Sequence, residues 1–562
     1  MAEPPSSIVA DPNRAMNVWA RTGIVRQGHR SNSQDRKQFG RPISRAKVRR
    51  WRRLLPQDGV ADLPSAPMGT LARQSSWIAV LTVAGLVLGF VNMSLLYPRY
   101  LPAAEFGLTR LVVSIAIVAA QFAQLGAEGT VIRYYPYFRG RSSRNGGLFR
   151  WALLVGSAGA VIAILVLILF HGRLSTWFND RSGLYGTHGL VVIPLLVAEV
   201  YYLLFRGASR AVHRSVAPMF AREFLLRALQ TGLIAAHVLW DLPFPLFLGL
   251  FACTFVISTV TLIVDLWRAG DFTLTLDPVR PSRRLIRSMA RYAAVTLGVG
   301  VAGVAAGNVD QVMLAAMLPD GLEYVAYYAV AMMLASVVMV PSRAMTMPAL
   351  PLIAEAWRRR DLGTIRSLHA RSTTVLLTLG FYTALCICVN TDVIYSWMKP
   401  GYSTGAKALL ILCVVNLVNL AGGLGGSIIG TSRRYAFDAS SGLLYMGLNI
   451  LLDFFFIRRW GMEGVAWSSL VAMVVVVAWR TAFLWHRFKL WPYEASALIK
   501  LTGAVLVSLF AWWVPSTGTP LYDGLLRCVV ITVPYWVVVF WTGACPELIE
   551  QARKIARRVS LR

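Results

Sequence analysis

Leu148–Phe170 reads LFRWALLVGSAGAVIAILVLILF. From Trp151 to Phe170 it carries no charged side chain. A helix rises 1.5 Å per residue, so a run of roughly 20 apolar residues covers the ~30 Å hydrocarbon core of a bilayer. A buried strand would stop after about eight residues. A soluble core helix would keep a polar stripe toward water, and this segment keeps none. It is a transmembrane helix, and the rest of the chain follows its pattern.

Reading outward from it, similar runs are expected at 76–97, 105–126, 148–170, 185–205, 216–237, 243–266, 288–308, 323–342, 370–390, 406–429, 437–457, 463–485, 498–514 and 523–542. The fold class is therefore an all-α polytopic membrane protein with about fourteen transmembrane helices. The composition agrees. Of 562 residues, 56% are hydrophobic and 15% charged, against the ~25% charged of an average soluble chain.

The formal net charge is +29, from 56 Lys and Arg against 27 Asp and Glu. On a soluble domain such an excess would suggest nucleic acid. Here apolar spans interrupt the basic residues, so no nucleic-acid partner is expected, and anionic membrane lipids are. The charge alternates from loop to loop. Loops after the even-numbered spans hold Arg133, then Arg206, Arg210 and Arg214, then Arg283, Arg284 and Arg287, then Arg358, Arg359 and Arg360, then Arg433 and Arg434, then Arg487 and Lys489. The alternate loops are poor in basic residues, apart from the pair Arg458 and Arg459. Loops retained in the cytoplasm keep Lys and Arg. Both termini are therefore expected in the cytoplasm of an inner-membrane protein.

Five regions follow. Residues 1–75 form a basic cytoplasmic tail, disordered by composition, in which Val48–Leu55 brings Arg49, Arg50, Arg52 and Arg53 toward anionic lipid. Residues 76–266 and 267–490 are two six-helix lobes, 491–545 hold two further helices, and 546–562 form a second basic cytoplasmic tail. The pseudo-symmetry of the lobes rests on a weak repeat of about 216 residues. Leu101-Pro102 matches Leu318-Pro319, Phe106 matches Tyr324, and Pro136 matches Pro351. Repeats in this orientation place a substrate site between halves.

Motifs for direct ATP use, zinc proteolysis and serine hydrolysis are absent from the sequence. The six cysteines lie in or beside apolar runs without metal-ligand spacing. No enzyme, resident cofactor or metal site is expected. The informative residues are charges inside spans, each costing about 2.5–3.5 kcal/mol at mid-bilayer. They are Arg110 in span 2, Arg222, Glu223 and Arg227 in span 5, Arg291 and Asp310 in span 7, and Asp453 in span 11. As substrate-binding candidates we take Arg110, Arg222, Arg227, Arg291, Gln121 and Gln124. As ion-coupling candidates, for a proton or sodium gradient, we take Glu223 and Asp310. Structural roles stand beside these. Glu223 and Arg227 are spaced to pair along one helix, Arg222 and Arg291 can snorkel to the interface, Asp310 can cap span 7, and the two glutamines can bond neighbouring helices. The cluster Gly422, Gly423, Gly425 and Gly426 suits close helix packing or a hinge.

Leu101-Pro102-Ala-Ala-Glu105-Phe106-Gly107 precedes span 2, and Leu125-Gly126-Ala-Glu-Gly129-Thr-Val-Ile-Arg133-Tyr134-Tyr135-Pro136 follows it. Together with Trp460-Gly461-Met-Glu-Gly464-Val-Ala466, these segments resemble the Wzx-type polysaccharide flippases, relatives of the MATE exporters and the lipid II flippase. The resemblance implies a V-shaped pair of lobes. It also implies an undecaprenyl-pyrophosphate-linked oligosaccharide turned from inner to outer leaflet, with a polysaccharide polymerase and export machinery as partners. A lipid II flippase and a MATE-like drug or cation antiporter remain the alternatives. An arginine-lined cavity suits a pyrophosphate, because the guanidinium fork stays charged and offers several donors.

Overall fold

The computed structural model describes residues 68–138, 147–178, 183–270, 282–513, 518–550 and 553. The segment Val48–Leu55, residues 1–67 of the basic tail and most of the C-terminal tail lie outside them. Among the described residues every regular element is helical. The first helix, α1, spans Met68–Val91, starting ahead of the expected span, and runs through a π-turn at Asn92–Leu96 into Tyr97–Tyr100. Then come α2 (Ala103–Ala123), α3 (Ala127–Phe138), α4 (Leu148–Trp177), α5 (Val192–Ala211), α6 (Leu226–Trp240) and α7 (Phe244–Arg268). After the 271–281 segment follow α8 (Arg283–Met317), α9 (Gly321–Ala335), α10 (Val340–Arg359), α11 (Leu362–Val389), α12 (Ala406–Ala421) and α13 (Gly425–Thr431). The chain ends in α14 (Tyr435–Phe488), α15 (Ala495–Ser508) and α16 (Pro520–Thr542).

Helix ends follow local chemistry. Ser282 caps α8 by accepting from the Leu285 amide at 3.3 Å. Asp361 caps α11 by accepting from the Thr364 amide at 3.0 Å and its hydroxyl at 2.7 Å, which holds its carboxyl below the usual range. Pro102 precedes α2 with extended backbone, where a proline costs no helical hydrogen bond.

Ten described helices are long and apolar enough to cross a membrane. Arg283–Val304 and Gly307–Met317, bent by 60° between them, add an eleventh if taken as one span. This count does not reach fourteen, for local reasons. Residues 216–240, which carry Arg222, Glu223 and Arg227, are not among the ten. Helix α15 has 14 residues, too few to span alone. The 54 residues of α14 hold two expected spans in one element. Gly461 breaks it with φ 57° and ψ −133°, a conformation open to glycine. The two halves of this hairpin fold back on each other, so that Asn449 donates to Ser469 at 3.2 Å.

The lipid-facing surface is explicit on α4. Ile162, Leu165, Ile168 and Leu169 are exposed, and only 17% of its most apolar stretch is buried. No water-soluble protein leaves such a stripe uncovered. In the first half of the chain α5 lies central, packed by α2, α3, α4 and α7. In the second half α14 packs on α8, α12 and α13, and α9 and α11 pack on α12. Helix α2 joins the halves through α8 and α9. Helices α15 and α16 pair with each other and lean on α11.

Candidate functional site

Two polar clusters interrupt this apolar bundle. The first begins at the seam on α2. Phe106, stacked on Tyr97 with centroids 4.9 Å apart, fixes the start of that helix. One turn on, the half-buried Arg110 lies beside Tyr97. The Arg110 Nε and the Tyr97 hydroxyl are both buried without a hydrogen-bond partner. A cation with unspent donors inside a bundle is costly unless an anion meets it.

Two of the other three basic candidates, Arg227 and Arg222, have protein partners. Arg227 pairs with Glu223 at 2.9 Å and donates to the Gly85 carbonyl. Its carbonyl accepts from Asn92 Nδ2 at 2.9 Å, and Asn92 Oδ1 accepts from Thr231 at 2.8 Å. Gly89 leaves room for the guanidinium, whose Nη1 lies 3.0 Å from where a Cβ would stand. Arg227 thus clamps α1 to the start of α6, just after the helix widens into a π-turn at Phe220–Leu225. Arg222 pairs with the buried Glu199 of α5 and lies over the Tyr202 and Phe255 rings at 5.0 Å. Arg291 is exposed near the start of α8. Gln124 accepts from the Glu128 amide at 3.0 Å, and buried Gln121 presses on Gly300 of α8. The glutamines therefore serve helix contacts.

Sequence reasoning missed an ion triad beside these. Arg206 grips Glu128 with Nε at 2.7 Å and Nη2 at 2.8 Å, and Arg210 adds a contact at 3.3 Å. Glu128 lies after span 2 and Arg206 after span 4, so nothing local in the sequence joins them.

The second cluster lies in the second half of the chain. Asp310 of α8 and Asp453 of α14 are buried side by side. Tyr328 of α9 donates to Asp310 Oδ2 at 3.2 Å, and Ser468 donates to Asp453 Oδ1. Asn449, one turn before Asp453, donates to Ser468 at 3.4 Å as well as to Ser469. Asp310 Oδ1, Asp453 Oδ2 and Asn449 Oδ1 are buried and unpartnered. Two adjacent buried carboxylates need a proton or a cation between them. The donor set is all oxygen, which suits a hard cation. Among the described residues no three His, Cys, Asp or Glu gather as a transition-metal site would need. Asp310 therefore does not simply cap a helix; it shares a site with Asp453, and Asn449-x-x-x-Asp453 was the readable signal for the partner face.

The halves touch closely along α2 and the start of α3. Gly107 abuts the Leu322 carbonyl of α9, Gly126 abuts the Ala293 carbonyl of α8, and a Cβ on Gly129 would lie 2.9 Å from Thr296. Lys399 donates its backbone N–H to Pro98 at 3.3 Å and its Nζ to the Tyr100 carbonyl at 3.2 Å, joining the same two halves.

The fold is shared with solved transporters. A lipid II flippase, MurJ, in an inward closed conformation aligns with a TM-score of 0.64 at 10% identity, covering 82% of this chain and 97% of that one. An inward-facing multidrug resistance MATE family transporter of the MOP superfamily aligns at 0.56 and 14%, covering 73% and 94%. A Vibrio cholerae MATE transporter, VcmN, aligns at 0.51 and 14%, covering 74% and 98%. No curated protein sequence matches the chain significantly. The family model described as "Polysaccharide biosynthesis protein" matches residues 71–357, just over half of the sequence. With its multi-pass helical bundle, the chain belongs to the polysaccharide biosynthesis protein family.

Proposed function

We propose that this protein is a flippase, not an enzyme, and that it carries an undecaprenyl-pyrophosphate-linked oligosaccharide from the inner to the outer leaflet. The observation that carries the reading is Arg110, a guanidinium in the bundle whose Nε has no partner. A pyrophosphate is dianionic or more, and the arginine fork is the side chain best matched to it. Arg227 is the second contact, reached when its hold on Glu223 and Gly85 is exchanged for substrate. Arg222 and Arg291 extend the basic path, and Gln121 and Gln124 flank it. The Asp310–Asp453 pair couples turnover to a proton or sodium gradient, with Glu223 as a further titrating group. The face bearing Arg206, Arg283, Arg358, Arg433 and Arg487 is cytoplasmic, as are both termini. Family membership and the flippase fold support this reading. A lipid II flippase is the second reading, favoured by the likeness to MurJ. The test is export in a strain lacking the gene. Arg110→Ala is expected to abolish polysaccharide export at normal membrane abundance, and Arg110→Lys to restore it in part. Normal export with Arg110→Ala, or rescue of a lipid II flippase deletion instead, would overturn it.

A further inference from the structure

A bowl of about 1150 Å³ opens on the basic face of the second half, between α10, the turn after α13 and the end of α14. Arg358, Arg360, Arg433, Arg434 and Arg487 line it, and no carboxylate does. Glu355, one turn back on α10, takes up Arg358 at 2.6 Å. The floor is aromatic. Phe437 stacks on Phe483 with centroids 3.9 Å apart, and Trp357 meets Phe488 edge-on at 5.0 Å. Trp357 Nε1 donates to the Ile428 carbonyl at 3.1 Å, which holds the ring in place.

The first half offers a comparison. A cavity of about 560 Å³ lies between the segment before α6 and the end of α7, where Arg214 and Arg268 line it with Asp265. There Arg214 is met by Asp265, with Nη2 to Oδ1 at 2.8 Å and Nε to Oδ2 at 3.1 Å. Basic loops alone explain arginines on this face. They do not explain why one half supplies the counter-charge and the other leaves a concave surface with excess positive charge.

The depth of the bowl selects the ligand. Tyr435, Trp479, Trp485 and Trp491 are exposed beside it, and Lys489 lies over the Trp485 ring at 5.6 Å. Exposed Trp and Tyr mark the membrane–water interface. The arginines thus stand at headgroup level, where a basic pocket between helices meets phospholipid phosphates before any soluble anion. We propose that this bowl binds an anionic phospholipid, with the phosphates on Arg433, Arg434 and Arg487 and the glycerol and upper acyl carbons on the aromatic floor. A lipid with two phosphates, such as cardiolipin, matches several converging guanidinium groups better than a single phosphate. The site is separate from Arg110 and from the Asp310–Asp453 pair and does not depend on what is transported.

The full chain in nanodiscs of phosphatidylcholine with a few per cent tetraoleoyl cardiolipin tests this, with retained lipid read by native mass spectrometry. Each arginine removed is expected to weaken retention about fivefold. The triple variant Arg433→Gln, Arg434→Gln, Arg487→Gln should lose the bound cardiolipin. The triple variant Arg283→Gln, Arg284→Gln, Arg287→Gln, which removes equal charge from the same face, should keep it. Should the first triple variant fail to fold, Arg434→Gln alone carries the test at the fivefold level. Equal loss in both triple variants, or none in either, overturns the site. Added undecaprenyl pyrophosphate that displaces cardiolipin from the wild type, and is itself retained through the same three arginines, overturns the assigned occupant.

Discussion

Gly107 of α2 lies against the carbonyl of Leu322 of α9, close enough that a Cβ on Gly107 would overlap that oxygen. Backbone meets backbone here, between helices from the two halves of the chain that the repeat makes equivalent. Gly107→Ala is expected to cost about 1–3 kcal/mol, the range for forced overpacking. Thermal unfolding of the purified protein measures it. Gly303→Ala, in open space on α8, should leave the midpoint unchanged or slightly higher.

Arg227 and Glu223 make the clamp on α1 doubly sensitive. Arg227→Ala removes the ion pair and strands Glu223, so membrane abundance should fall. Arg227→Ala with Glu223→Ala should restore abundance without restoring export. Immunoblotting of membranes beside an export assay separates the two effects. Normal export by the double variant would remove Arg227 from the substrate path.

These relationships show where the sequence was legible. The apolar runs, the helix starts at Ser282 and Asp361, and the break at Gly461 could be read or explained locally, because period, caps and glycine conformation are local properties. The cost of charge in lipid pointed to Arg110 and Asp310 for the same reason. The partners could not be read. Glu199 meets Arg222 across 23 positions, and Glu128 meets Arg206 across 78. Such pairings are set by which helices pack, and a single sequence does not state that. Gln121 and Gln124 sit buried in helix contacts, which the sequence alone does not separate from a place beside the path.

The paired carboxylates carry the prediction on energy coupling. Asp310→Asn leaves Asp453 without its acidic partner and removes the need for a bridging cation. In proteoliposomes the variant should transport at a rate that no longer responds to an imposed sodium or proton gradient, while the wild type responds to one of them. An unchanged response would place the coupling ion elsewhere.

Topology is open to direct measurement. Reporter fusions at Ser282 and Asp361 should report the cytoplasm, and fusions at Gly321 and Gly401 the periplasm. A reversed report at any of the four would reject the assignment of the basic face to the cytoplasm.

In the proposed transport cycle Arg110 engages the anionic headgroup of a lipid-linked sugar as it crosses. The most direct measurement is transbilayer movement of a fluorescent undecaprenyl-pyrophosphate oligosaccharide in proteoliposomes, read by loss of protection from a membrane-impermeant quencher. Wild type should move the lipid. Arg110→Ala should fall to the rate of empty liposomes, and Arg110→Lys should lie between. Movement by Arg110→Ala at the wild-type rate would contradict the account.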